Sequence, residues 1–247
     1  MIDIYADGAA MDGIVEASKN NKIKGFTTNP SLMKAAGIKD YMGFCDNVIA
    51  YLKEYRPDTN ISLEVFSDDE TEMLEQALKL NQVGLNHDYP VYVKIPVTYT
   101  NGEFTINVIQ KLLEKNVRVN VTAVFTPYQT MHVLDAIGTS KVPSIISIFA
   151  GRIADAGKNA GLIVSECVKL NKFLTSGLSR NPNIKFLWAS TRQVYNYVEA
   201  QLAGCHVITM TPDVIKKLSN LDKNLTEYSL ETVKMFRDDA IKSGYTI

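Results

Sequence analysis

Short runs of β-branched and apolar residues alternate along the chain with longer stretches whose apolar positions recur every three or four residues. The runs near Asp3–Tyr5, Ile23–Thr28, Ile61–Phe66, Val91–Val97, Arg118–Phe125, Ser144–Ala150, Lys185–Ser190 and His206–Thr211 read as strands. Between them, Glu72–Val83 carries Met73, Leu74, Ala77, Leu78 and Leu80 at helical spacing. Thr105–Leu113 does the same with Ile106, Val108, Ile109, Leu112 and Leu113. Eight β-then-α units in 247 residues predict an α/β fold, a closed (β/α)8 TIM barrel. A doubly wound open sheet is the alternative, but the first strand is followed by no Gly-rich dinucleotide fingerprint.

Nothing in the composition divides the chain, so residues 1–247 are expected to form a single domain with a C-terminal helical extension at 226–247. Within that extension, Thr226–Lys242 spaces Tyr228, Leu230, Val233, Met235, Phe236 and Ile241 as a helix would. Such a helix packs on the barrel or on a neighbouring subunit, and packing within one core is the simpler expectation.

The polar positions inside the strands carry the chemistry. A strand covered on both faces reads as a nearly continuous apolar run, yet the fourth, VYVKIPV, has Lys94 at its centre on one face with Tyr92 and Pro96. A buried ammonium must be paired or neutralised, and a lysine neutralised in this way attacks carbonyl carbon. A lysine whose amine escapes to solvent is the competing expectation. The interruption recurs in neighbouring strands. Glu64 sits among Leu63, Val65 and Phe66; Asn120 and Thr122 share a face of the fifth strand, as Ser147 and Phe149 do of the sixth. Asp7 and Asn29 follow the first two strands, Arg152 lies past the sixth, and Ser190 closes the seventh with Arg192 behind it. Singly, these are turn residues, a helix cap at Asp7 or an ion-pair partner at Glu64. Jointly they surround one mouth, because the C-terminal ends of barrel strands converge there. A lysine, two carboxylates, hydroxyls, amides and two arginines suit carbonyl chemistry on a polyol that carries an anion.

Composition narrows the remaining classes. A net charge of −1, with no basic stripe, offers no platform for nucleic acid. The apolar stretches are too short to span a bilayer, and the first residues lack a signal peptide's positive region, so the expected location is cytoplasmic. Cys45, Cys167 and Cys205 show no disulfide spacing, and His87, His132 and His206 no metal-ligand motif. Neither a metal nor any other cofactor is expected.

Five segments in order resemble the transaldolase family, including its short branch and the related fructose 6-phosphate aldolases. They are GFTTNPSLM (Gly25–Met33), VKIPVT (Val93–Thr98), NVTAVFTPYQ (Asn120–Gln129), SIFAGRIAD (Ser147–Asp155) and ASTR (Ala189–Arg192). The resemblance implies that Lys94 forms a Schiff base with a ketose phosphate and that Asp7 carries the proton of the hydroxyl beside the cleaved bond. It implies that Glu64 and Thr122 hold a water, that Asn29, Asn120 and Ser147 bind the three-carbon ketone fragment, and that Arg152, Ser190 and Arg192 hold the terminal anion. Glu64 and Phe149 stand where the aldolase branch tends to have Gln and Tyr, which points to transfer of the fragment rather than its release. Sugar phosphates are the implied partners, and the short branch implies a homo-oligomer: a decamer built of pentamers that exchange C-terminal helices, where longer relatives are monomers or dimers. Gly8 and Glu103 depart from the pattern, and Trp188 faces the barrel interior by parity with Ser190. A catalytically silent binding barrel is the alternative, although such a protein has little use for Lys94, Asp7 and Glu64 together.

Overall fold

The computed structural model describes residues 2–175 and 182–246. Two compact units divide the chain, Met1–Ile215 and Lys216–Ile247.

In the first unit, eight strands close into a barrel: β1 (Asp3–Asp7), β2 (Ile23–Thr27), β3 (Ile61–Glu64), β4 (Val91–Pro96), β5 (Val119–Val124), β6 (Ser144–Ile148), β7 (Ile184–Trp188) and β8 (Val207–Met210). Each pairs in parallel with the next, and β8 pairs with β1. The expected (β/α)8 fold is therefore present, with strand ends moved by a residue or two. The amphipathic stretches lie in the helices Glu70–Asn86 and Ile106–Glu114.

Period-two alternation sorts the strand residues into two environments. Val93, Ile95, Val121, Ile146 and Ile148 are fully buried on the faces covered by helices. The opposite faces look into the barrel, where Tyr5, Ile145, Leu187, Ala189 and Val207 pack together with Tyr92 and Phe149. The Tyr5 ring lies across Gly25 of the neighbouring strand, and its hydroxyl accepts a hydrogen bond from Asn60 Nδ2 at 2.8 Å. Cys45, Cys167 and Cys205 are all buried and unpaired, behaving as small apolar residues.

Two backbone departures shape the upper rim. The β5–β6 register shifts between Val121 and Val124, and Ala123 there adopts φ +57°. Such a bulge re-aims side chains locally, and Thr122 and Ala123 both reach the same cavity. Past the end of β7, Ser190 has φ +64°. That left-handed residue breaks the strand's alternation and corrects one expectation. Leu187 and Ala189 face the interior, so Trp188 points outward and is buried on the opposite face. The parity argument fails because Ser190 is not in extended conformation.

The second unit contains a 3-10 turn, Leu218–Asn220, and the helix Leu225–Ser243. Asn224 caps it by accepting from Thr226 and Glu227 N–H, and Gly244 ends it at φ +66°. The helix is present as the spacing requires, but none of its residues is buried. Leu225, Val233, Phe236 and Ile241 are each more than half exposed. Ile247 lies outside the described residues.

A Cβ added at Gly25 would sit 2.7 Å from the Tyr5 ring. Gly25→Ala is therefore expected to displace that ring from Asn60 and to cost about 1–3 kcal/mol, as overpacking does. The midpoint and slope of urea unfolding measure it, and an unchanged midpoint contradicts the packing described.

Candidate active site

A cavity of about 470 Å³ opens at the C-terminal ends of the strands, where barrels place their chemistry. All eleven residues singled out from the sequence line it: Asp7, Asn29, Glu64, Lys94, Asn120, Thr122, Ser147, Phe149, Arg152, Ser190 and Arg192.

Strand register explains their convergence. Glu64 is the β-partner of Lys94, Lys94 of Asn120, and Pro96 of Thr122. The Lys94 side chain is 7% exposed, and its Nζ donates to Glu64 Oε2 at 2.7 Å and to the Thr28 carbonyl at 2.7 Å. The amine therefore does not escape to solvent. Its burial is answered by a carboxylate and a carbonyl. Tyr41 fixes the other side of this pair by donating its hydroxyl to the Glu64 carbonyl at 2.7 Å.

Asp7 is the last residue of β1 and accepts from Thr27 Oγ1 at 2.7 Å. It caps no helix: the helix Met11–Ser18 has Ala10 at its N-cap and no side-chain cap. Burial pushes the Asp7 carboxyl above the ordinary aspartate value. The Thr27 hydrogen bond and the Lys94 charge pull the other way, and Glu64 adds to the rise.

A second chain of hydrogen bonds runs across the floor. Ser147 Oγ donates to Asn120 Oδ1 at 2.7 Å, and Asn120 Nδ2 donates to Ser62 Oγ at 3.1 Å. Ser147 thus offers a substrate its lone pairs, and Asn120 its second amide proton. Asn29 Oδ1 caps the helix Pro30–Ala35 by accepting from Leu32 N–H at 3.0 Å, which leaves its amide to the cavity. The Thr122 hydroxyl is buried and has no hydrogen-bond partner within the protein among the described residues.

The arginines stand at the opposite rim. Arg152, in the short helix Ala150–Asp155, lies over the Phe149 ring at 5.5 Å. Arg192 is tied along one edge, with Nη2 2.6 Å and Nε 3.2 Å from Asp155 Oδ2. The segments carrying them touch closely, since a Cβ on Gly151 would fall 1.6 Å from the Ser190 carbonyl oxygen. After β7 the next helix begins only at Tyr195, and the Arg192 and Gln193 N–H groups are both taken by Asn196 Oδ1. The Asn196 side chain thus satisfies those backbone groups, leaving the guanidinium groups and the Ser190 hydroxyl to line the cavity.

Sequence reasoning missed Thr27, Thr209, Ser62 and Asp155. Thr27 lies inside GFTTNPSLM and shares inward parity with Gly25, the one signal that marks it. Among the described residues no group of three or more His, Cys, Asp and Glu is arranged to hold a metal ion. No described helix is long and apolar enough to cross a membrane.

The model of the transaldolase/fructose-6-phosphate aldolase family matches residues 4–247. The chain belongs to that family. It is 28% identical over 215 residues to a probable transaldolase of Dehalococcoides mccartyi, covering 87% of this chain and 89% of that one. A probable transaldolase of Nitrosopumilus maritimus is 30% identical over 232 residues, covering 92% and 91%, and one of Thermoplasma volcanium 27% over 241, covering 95% and 97%. Among solved structures, the crystal structure of KGPDC from Streptococcus mutans superposes with a TM-score of 0.51 at 11% identity, covering 87% and 90%. That likeness concerns the barrel alone. The transaldolase family fixes the broad activity, an enzyme of transaldolase/fructose-6-phosphate aldolase type.

Asp7 provides a direct check on the electrostatics. Its folded pKa is raised, so the native state holds the proton more tightly than the unfolded chain does. Stability then falls as pH rises from the unfolded aspartate value through the folded one, and the loss persists above it. Asp7→Asn removes that penalty. Its melting temperature at pH 7 is expected to exceed that of the parent, with the gap closing toward pH 4. Equal or lower stability at pH 7 contradicts the burial argument.

Proposed function

We propose that this enzyme is a transaldolase, moving a dihydroxyacetone unit from a ketose phosphate similar to fructose 6-phosphate to an acceptor aldehyde through a Schiff base on Lys94. The observation that carries the reading is the buried Lys94 ammonium, 2.7 Å from Glu64 and sharing one cavity with Asp7, Arg152 and Arg192.

Lys94 gives a proton to Glu64, and its free lone pair adds to the C2 carbonyl to form a carbinolamine. Glu64 returns the proton to the new hydroxyl through a water held by Thr122, whose unpartnered hydroxyl supports that role. Water leaves and an iminium remains. Asp7 takes the C4 hydroxyl proton while the C3–C4 bond breaks, and its electron pair flows into the iminium to give an enamine. The first aldehyde departs. A second enters, the enamine carbon bonds to its carbonyl carbon, and Asp7 returns the proton to the oxygen. Hydrolysis of the iminium frees the product. A base is most useful when its pKa lies near working pH, and the upward push on Asp7 moves it in that direction.

Asn29, Asn120 and Ser147 bind the hydroxyls of the three-carbon fragment, and Arg152, Ser190 and Arg192 hold the terminal anion. Phe149 has no hydroxyl with which to protonate the enamine, so the intermediate persists until an acceptor arrives. Release of free dihydroxyacetone, the aldolase outcome, is the competing result. The exposed apolar residues of Leu225–Ser243 support self-association through that unit, and light scattering at moderate concentration is expected to give more than the monomer mass of 27.5 kDa.

Borohydride reduction in the presence of fructose 6-phosphate, with no acceptor, is expected to leave a three-carbon adduct on Lys94 and little free dihydroxyacetone. Peptide mass spectrometry locates the adduct. Lys94→Met should still fold, at a lowered melting temperature, take no label and lose at least about 10³-fold in turnover. Rapid release of dihydroxyacetone selects the aldolase. No adduct with the sugar or with dihydroxyacetone itself returns the barrel to a binding role.

A further inference from the structure

Asp7 is supported by two hydroxyls to which the mechanism above gives no part. Thr27 Oγ1 lies 2.7 Å from Asp7 Oδ1 and 2.5 Å from Thr209 Oγ1. Both threonines are buried, at 3% and 6% exposure, and both line the cavity. They stand on β2 and β8, the two strands that flank β1 in the closed sheet. Among the described residues the Thr209 hydroxyl bonds only to Thr27.

Each hydroxyl has one proton to give. An ionised carboxylate only accepts, so Thr27 must donate to Asp7, and Thr209 must then donate to Thr27. Every member is satisfied. A neutral Asp7 accepts more weakly; protonated on Oδ1, it turns the array round and leaves the Thr209 proton without an acceptor within it. Protonated on Oδ2 instead, Asp7 keeps the array but as a weaker acceptor, so the array favours the anion over either neutral form. It also occupies Oδ1, which leaves Oδ2 as the oxygen that meets a substrate hydroxyl. The charged groups acting on Asp7 from across the barrel are Lys94 on β4, which favours the anion, and Glu64 on β3, which opposes it.

We propose that Thr27 and Thr209 are positioning residues, a directed pair of hydroxyls that hold Asp7 ionised inside the barrel and aim its Oδ2 at the substrate. This rests on the reading of Asp7 as the proton carrier.

Thr27→Val keeps the shape and removes the donor. It is expected to move the acid limb of kcat/KM up by about one pH unit, since a hydrogen bond to the charged form is lost. Thr209→Val should move it the same way by less, and Thr27→Ser should restore it. An independent readout is the gain in melting temperature that Asp7→Asn gives at pH 7, which should grow in the Thr27→Val background. A Thr27→Val enzyme that loses rate evenly at every pH, with that gain unchanged, overturns the proposal and reduces Thr27 to packing. If Asp7→Asn alone leaves the acid limb in place, Asp7 is not the proton carrier and its assignment in the mechanism fails. The stability comparison still decides whether the two hydroxyls favour its charge.

Discussion

An ammonium placed inside a barrel of Val, Ile and Leu must be compensated, and the rim of this protein is arranged around that requirement. Lys94 meets it with Glu64 and with the Thr28 carbonyl, each at 2.7 Å. The partners in turn need support: Glu64 is a β-partner of Lys94, and its carbonyl is tied by Tyr41. Removing one partner of a buried pair leaves an uncompensated charge and costs several kcal/mol. The pair thus joins stability and chemistry, because the carboxylate that makes the lysine tolerable is also the group best placed to take its proton.

The other hydrogen bonds of the cavity distribute donors so that few remain uncommitted. Ser147 gives its proton to Asn120 and Asn120 gives one to Ser62, while Asp155 holds one edge of Arg192. Such preorganisation fixes where a ligand's donors and acceptors must fall before the ligand arrives. A polyol with an anion at one end matches what is left: lone pairs and amide protons on the floor, guanidinium groups on the rim.

The eight strands and the lysine were legible because each is a local pattern: β-branched runs, and a charge where apolar residues should be continuous. Convergence of the eleven residues on one mouth followed from barrel topology alone. What stayed hidden depends on non-local register or on backbone sign. Parity with Ser190 places Trp188 inward only if the backbone stays extended, and Ser190 is left-handed. Asp155 lies within SIFAGRIAD, but its pairing with Arg192 joins a helix end to a loop 37 residues away. Thr209 offered no signal, since its partner lies 182 residues away. The helix Leu225–Ser243 was legible as a helix, yet amphipathic spacing does not say what covers its apolar residues, and none is buried.

That 182-residue separation bears on when the protein becomes competent as it is made. Lys94 and Glu64 are 30 residues apart and sit on adjacent strands, so a chain still on the ribosome can already bring them together. The Thr27–Thr209 contact cannot form until the last strand has emerged and closed against the first. A nascent or truncated chain can therefore pair Lys94 with Glu64 before the hydroxyls around Asp7 are complete. Completion of the hydroxyl pair beside Asp7 therefore coincides with closure of the barrel, and the two ends of the chain meet at the same corner of the cavity.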